Sequence, residues 1–211
     1  MPSAVEIVNL ALDELGKVAL RDFSTTPTDP ISGRLAKRRY EMSRDWLVSK
    51  HDWTFARCTV LLNLVSGVSH PDGAVYGLPA DCLVPRRIGP RVGASNQWEV
   101  EGRYVIIPTD YTRSWGEQPR LRYTRITTQS TLFPSYFIDA LALHIASKLA
   151  MPLNCDQKVA LALNRAFKQS WREAALIDSN IGNGDSDLTQ DLQYDTFITT
   201  DVPTVVFSNG E

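Results

Sequence analysis

The spacing of apolar residues changes twice along this chain, and that order constrains the fold more than any single motif. At the N-terminus, in SAVEIVNLALDELG, Val8, Ala11, Leu12 and Leu15 recur at helical spacing. Ser3 and Glu6 have the spacing of a capping box, and Gly16 is a natural stop. The polar linker DFSTTPTDP follows, and its prolines disfavour a helix running through it. A second helix is predicted from near Pro30 to about Lys50, with Ile31, Leu35, Met42 and Trp46 on one face and Arg34, Lys37, Arg38 and Arg44 mostly elsewhere. From Trp53 the texture shifts to short β-prone runs, TFARCTVLLNL, LVPRRIG, WEVEGRYVIIP and PRLRYTRI. In the third run Trp98 and Val100 alternate with Glu99 and Glu101, and Gly102 marks a turn before Tyr104–Ile107.

Helical spacing returns at Pro134, a residue tolerated in a first turn because its missing N–H has no partner there anyway. Ile138, Leu141, Ala142, Ile145 and Leu149 form one stripe; Val159, Leu163, Ala166, Phe167 and Ala174 form the next, in a helix starting near Asp156. Two helices before the strands and two after predict an α+β chain: a four-helix bundle interrupted by a small antiparallel β insertion, one sheet or a partial barrel. The expected segments are 1–55 and 131–179 for the two halves of the bundle and 56–130 for the insertion. Residues 180–211 have no helical stripe and few apolar groups, so they are expected to form an extended arm that orders against a partner. Tyr194, Phe197, Val205, Val206 and Phe207 are its candidate docking residues.

Charge is uneven along a chain of 211 residues whose formal net charge is only -2. Arg86 to Arg125 holds eight arginines, no lysine and four acids, whereas after Arg172 there are eight acids and no Lys or Arg. A near-neutral total argues against nucleic-acid binding by bulk charge. An arginine-rich middle and an acidic end suit contacts with several partners, and Arg86, Arg87, Arg113 and Arg122 are candidates for them. The basic side of the second helix, including Arg38, Arg39 and Arg44, leaves a DNA-binding regulator as an alternative. No apolar run approaches the roughly 20 residues that span a bilayer, so membrane insertion is not expected. Three widely spaced cysteines, with no basic-then-apolar leader, predict synthesis in a reducing cytoplasm.

Chemistry has few footholds. His51, His70 and His144 lie far apart and no CxxC occurs, so neither a metal site nor a cofactor is expected. Gly89, Gly93 and the IGNG at Ile181 are too sparse to cradle phosphates. VYGLPADCLVPRR, starting at Val75, allows two readings. Cys82 could be the thiolate of a small Cys-dependent hydrolase. Alternatively, Pro79 biases Leu78 toward an extended conformation, Asp81 bonds nearby backbone in a turn, and Cys82 or Leu83 enters the core of a strand. The second reading is the one adopted, with no enzymatic activity expected.

The order of phrases carries more. AVEIVNLALDELG, a polar linker, a helix followed by HDWTFAR, then VYGLPADCL, WEVEGRYVII and a closing helix pair resemble the tail tubular protein A family, the head-to-tail adaptors of short-tailed bacteriophages and prophages. The resemblance covers about residues 3 to 180 and rests on Trp53-Thr54-Phe55 and Leu78-Pro79-Ala80-Asp81-Cys82-Leu83. It implies a structural virion protein at the head–tail junction, assembled in the host cytoplasm into a ring of about twelve copies. Such a ring binds the portal protein, extends the channel through which DNA passes without specific binding, and carries the tail nozzle or fibres. It further implies that the helices meet the portal and ring neighbours, that the β insertion faces the tail, and that the C-terminal segment reaches the portal.

Overall fold

The computed structural model describes residues 2–23, 31–89, 98–110, 112, 118–153 and 155–181, and of 31–34 the backbone alone. Arg113 and the arm residues Tyr194, Phe197, Val205, Val206 and Phe207 lie outside the described residues. Within them the chain is α+β, with four α-helices and two three-stranded antiparallel sheets.

Helix α1 spans Ala4–Asp13 and begins with the expected box: the Glu6 amide donates to Ser3 Oγ at 3.3 Å, and the Ser3 amide donates to the Glu6 carboxylate at 2.6 Å. Ile7, Val8, Ala11 and Leu12 are buried. Gly16, at φ +61°, takes the left-handed conformation that ends the helix, and the Lys17 amide returns to the Leu12 carbonyl at 2.9 Å. Asn9 then holds the outgoing chain, its side-chain amide bonding both the N–H and the C=O of Leu20.

Helix α2, Ile31–Lys50, does not bury the predicted face. Ala36, Tyr40, Ser43, Arg44, Leu47 and Val48 point inward, Leu35 is half-buried, and Met42 and Trp46 are 59% and 42% exposed. The helix carries two competing stripes, and tertiary contact selects the one with Arg44. That side chain lies 5.7 Å from the centre of the Tyr40 ring and pairs with Asp45 at 2.8 Å, so its charge stays matched while its stem packs. Trp46 instead stacks on His144 at 4.6 Å, with the Lys50 ammonium 4.9 Å from its ring centre.

Helix α3, Ser135–Leu149, is capped by Pro134 and packs against α1, α2 and helix α4, Gln157–Ile181. Burial on nearly every side suits this central position: Phe137, Ile138, Leu141, Ala142, His144, Ile145 and Leu149 are all inside. On α4 the buried stripe is Leu163, Phe167, Ala174 and Asp178. Val159 and Ala166, expected on it, are exposed, because the stripe is one residue wide and both fall to its side.

The strands form two sheets rather than one. Strands β1 (Arg57–Leu61), β6 (Arg120–Arg125) and β3 (Cys82–Gly89) lie in the order β1-β6-β3, and β2 (Ala74–Gly77), β5 (Tyr104–Ile107) and β4 (Glu99–Glu101) in the order β2-β5-β4. The chain passes from the first sheet to the second and back, forms the β4–β5 hairpin in the second, and closes with β6 in the middle of the first. Both sheets contribute to one core of Leu62, Tyr76, Cys82, Ile88, Val105, Ile107, Leu121 and Tyr123. Of the expected alternation, Val100 is 41% exposed, while Trp98 packs against this core. Gly102, at φ +58°, turns the β4–β5 hairpin.

Candidate functional site: a polar junction between helices and sheet

The phrase HDWTFAR leaves α2 and enters β1 through a 3-10 turn at Thr54–Ala56. Trp53 is fully buried, its Nε1 donating to the Leu47 carbonyl at 2.9 Å, with the rings of His51 and Phe137 edge-on at 4.8 and 5.1 Å. Phe55 packs edge-on against Phe137 and Phe133 at 4.8 and 5.5 Å. These rings join α2, the turn and α3 through contacts that bury large apolar area, each side chain contributing about 1.5–3 kcal/mol.

Around this aromatic centre lies a polar network. Asp178, in the last turn of α4 and 0% exposed, accepts from the Thr54 amide at 2.9 and 3.2 Å, the Thr54 hydroxyl at 2.7 Å and the Tyr136 hydroxyl at 2.8 Å. His51 Nε2 lies 3.5 Å from its second oxygen. Burial alone would raise the carboxyl's pKa; bonds from His51, Thr54 and Tyr136 together outweigh it and hold it below the usual value. Burial, with Asp178 opposite, pushes the Tyr136 hydroxyl up to about 12. A helix C-terminus is an unfavourable place for an anion, so these donors are what keep it there.

A second carboxylate ties the sheet to the same turn. Asp52 pairs with Arg122 of β6 at 2.6 Å and with Arg57 of β1 at 3.3 Å. Arg86 of β3 donates to the carbonyls of Ser49 and His51 at 2.7 and 2.8 Å, and to the Thr124 hydroxyl at 2.9 Å. Two of the predicted contact arginines, Arg86 and Arg122, are thus engaged within the chain. Arg87 sits opposite Arg122 in the β3–β6 register. Of the second helix's arginines, Arg38 is exposed, Arg39 half-buried and Arg44 buried.

The LPADCL phrase is a turn that starts β3, as the residues predict, with the Cys82 amide donating to the Pro79 carbonyl at 3.1 Å. Asp81 differs from expectation: its carboxylate accepts from the Tyr123 hydroxyl across the sheet at 3.0 Å, instead of bonding local backbone. The Arg103 guanidinium donates to the Pro79 carbonyl, pinning the turn to the second sheet. Cys82 is buried, and that burial pushes its thiol up to about 11, opposite to what a nucleophile at neutral pH needs.

Asp178 is the residue that sequence reasoning missed. Its signal was positional: it continues the stripe Leu163, Phe167, Ala174, where a carboxylate must find donors. His144 has a buried Nδ1 with no hydrogen-bond partner among the described residues. Among the described residues no group of His, Cys, Asp and Glu has the arrangement of a metal site, and no helix is long and apolar enough to cross a membrane. Neither a protein-family model nor a curated protein matches the chain.

Proposed function

We propose that this protein is a structural adaptor of the head–tail junction of a short-tailed phage or prophage. On this reading it forms a ring between the portal protein and the tail nozzle or fibre protein, and the ring extends the DNA channel. One observation carries the reading: both phrases on which the resemblance rests are structural joints. HDWTFAR connects α2, α3, α4 and the first sheet through Trp53, Asp52 and Thr54, and LPADCL connects the two sheets through Asp81 and Pro79. A subunit that transmits force between head and tail needs helices and sheets that move as one body, and buried, bonded joints supply that.

In this proposal the four helices act as a bundle interrupted by the β insertion, and identical subunits close a ring through heterologous contacts. The C-terminal arm, through Tyr194, Phe197, Val205, Val206 and Phe207, docks on the portal, repeated around the ring so that avidity makes attachment lasting. Arg87 and Arg113 are the candidates for subunit or tail contacts. Catalysis plays no part in this role. The test is electron microscopy of particles from a phage or induced prophage with an early stop codon in this gene. Filled or leaky heads without tails, rescued by purified protein, are expected; normal tailed particles refute the proposal.

A further inference from the structure

The face of α4 turned away from the core carries a row of cations between two leucines. Leu161, Arg165, Lys168, Arg172 and Leu176 follow one another at spacings of four, three, four and four residues, which places them in one line along the helix. All five are exposed, with Leu161 and Leu176 at 52% and 51%, and Ile177 and Ile181 extend the apolar surface toward the C-terminal end. Gln169 and Glu173, hydrogen-bonded to each other at 3.0 Å, lie beside this line on the same open face. Leucine at both ends of a row of cations matches a ligand that is anionic and apolar by turns.

The chain carries such a ligand immediately after this helix. Residues 185–192 hold Asp185, Asp187 and Asp191, interleaved with Leu188 and Leu192, and no Lys or Arg. We propose that residues 185–192 dock along the outer face of α4 of their own chain, ahead of the arm residues assigned to the portal.

The reach agrees. At a helical rise of 1.5 Å per residue, Arg172, Lys168 and Arg165 stand about 13, 20 and 24 Å back from Ile181. Gly182 and Gly184, on either side of Asn183, are residue types that allow a reversal. After a turn ending near Asp185, extended chain advances about 3.3 Å per residue, so Asp187 to Asp191 covers about 7 to 20 Å of helix. That range brings Asp191 level with Lys168 and Asp187 level with Leu176, about one helical turn from Arg172, within the length of an arginine side chain. A tether of a few residues gives the segment an effective concentration near the millimolar range at its own helix, which favours this site over the same face of another copy. The inference stands apart from the adaptor reading, because it needs no portal.

The test uses the full chain, mixed in equal amounts of natural-abundance and 15N-labelled protein and treated with a zero-length carbodiimide cross-linker. Cross-links from Lys168 to Asp191 are expected, within one isotope class, and lost in 500 mM salt because exposed ion pairs are screened. Cross-linked peptides of mixed isotope class would assign the segment to a second copy and overturn the proposal. The second measurement is acetylation of Lys168 relative to Lys158. In the D185N/D187N/D191N variant the Lys168 rate should rise at least about threefold, since an engaged ammonium reacts slowly. An unchanged ratio, or cross-links no more frequent at Lys168 than at Lys158, overturns it as well.

Discussion

Replacing Asp178 with asparagine should cost more stability than any other single change of comparable size. The side chain is fully buried and receives the Thr54 amide, the Thr54 hydroxyl, the Tyr136 hydroxyl and His51. Asparagine fits the space and keeps one carbonyl oxygen, but turns an N–H₂ toward groups that are themselves donors. Hydrogen bonds to a charged group contribute roughly 1.5–3 kcal/mol each, and each buried donor left without its acceptor costs about 1–3 kcal/mol. We expect a loss of about 3–5 kcal/mol, which for a chain of this size lowers the melting temperature by on the order of 10 °C. Urea titration followed by tryptophan fluorescence measures it, since Trp53 is buried in the same joint. Asp45→Asn, whose side chain is 45% exposed, is the control and should change stability by less than about 0.5 kcal/mol. A double-mutant cycle with Tyr136→Phe should show coupling of about 0.5–3 kcal/mol. The Asp178 carboxyl has a depressed pKa in the fold, so its contribution is present above the ordinary value near 4 and is lost as pH falls through the lower, folded value. Loss of less than about 1 kcal/mol in Asp178→Asn, or no coupling to Tyr136, would refute the reasoning that this network holds α4 to the turn.

Three further outcomes follow from the same geometry. His144, stacked on Trp46 and tilted against Phe167 at 4.6 Å from each, is held neutral by burial and secondarily by Lys148, which lower its pKa to about 4. The unfolded chain therefore takes up this proton first, and stability that is complete above about pH 6.5 should fall by up to about 3 kcal/mol toward pH 4. His144→Phe should flatten the slope of unfolding free energy between pH 7 and 5, and an unchanged slope would assign that titration to other groups. Cys82, with its thiol near 11, should react with iodoacetamide at pH 7.5 at least about 100-fold more slowly in the native protein than in urea; rapid native labelling would favour the hydrolase alternative. Gly73→Ala drives a methyl group into the Ile107 carbonyl, with Pro108 Cα at 2.9 Å, and should cost about 2 kcal/mol or more by urea midpoint.

How much of this was legible in the sequence depends on how local each feature is. The capping box of α1 needs only Ser3 and Glu6, three residues apart, and the Pro79 turn needs only its neighbours, so both could be read directly. The division into two sheets could not, because β2 pairs with β5 and β3 with β6 across intervening chain, and strand propensity does not specify partners. The inward face of α2 escaped for a related reason. Met42 and Trp46 are the larger apolar residues, yet the packing on α3 selects Tyr40, Arg44 and Leu47, and only a long arginine with Asp45 beside it can tolerate that choice.

The junction shows the same limit at its strongest. HDWTFAR stands out as a phrase, but what it does depends on Asp178, 124 positions beyond Thr54. A carboxylate on a buried helical stripe demands donors, and a stretch rich in donors at a chain crossing demands an acceptor. Each half, taken alone, reads as a polar residue near the end of an element. Only their meeting explains why an anion is kept at the negative end of a helix dipole, where water would solvate it better. The stability of α4 against the turn then depends on this match, and α4 is also the helix whose outer face carries the cations set before the acidic segment. A perturbation at Asp178 should therefore loosen both faces of α4. The Lys168 cross-links should weaken in Asp178→Asn under conditions where α1 and α3 remain folded, and full retention of those links would separate the two faces.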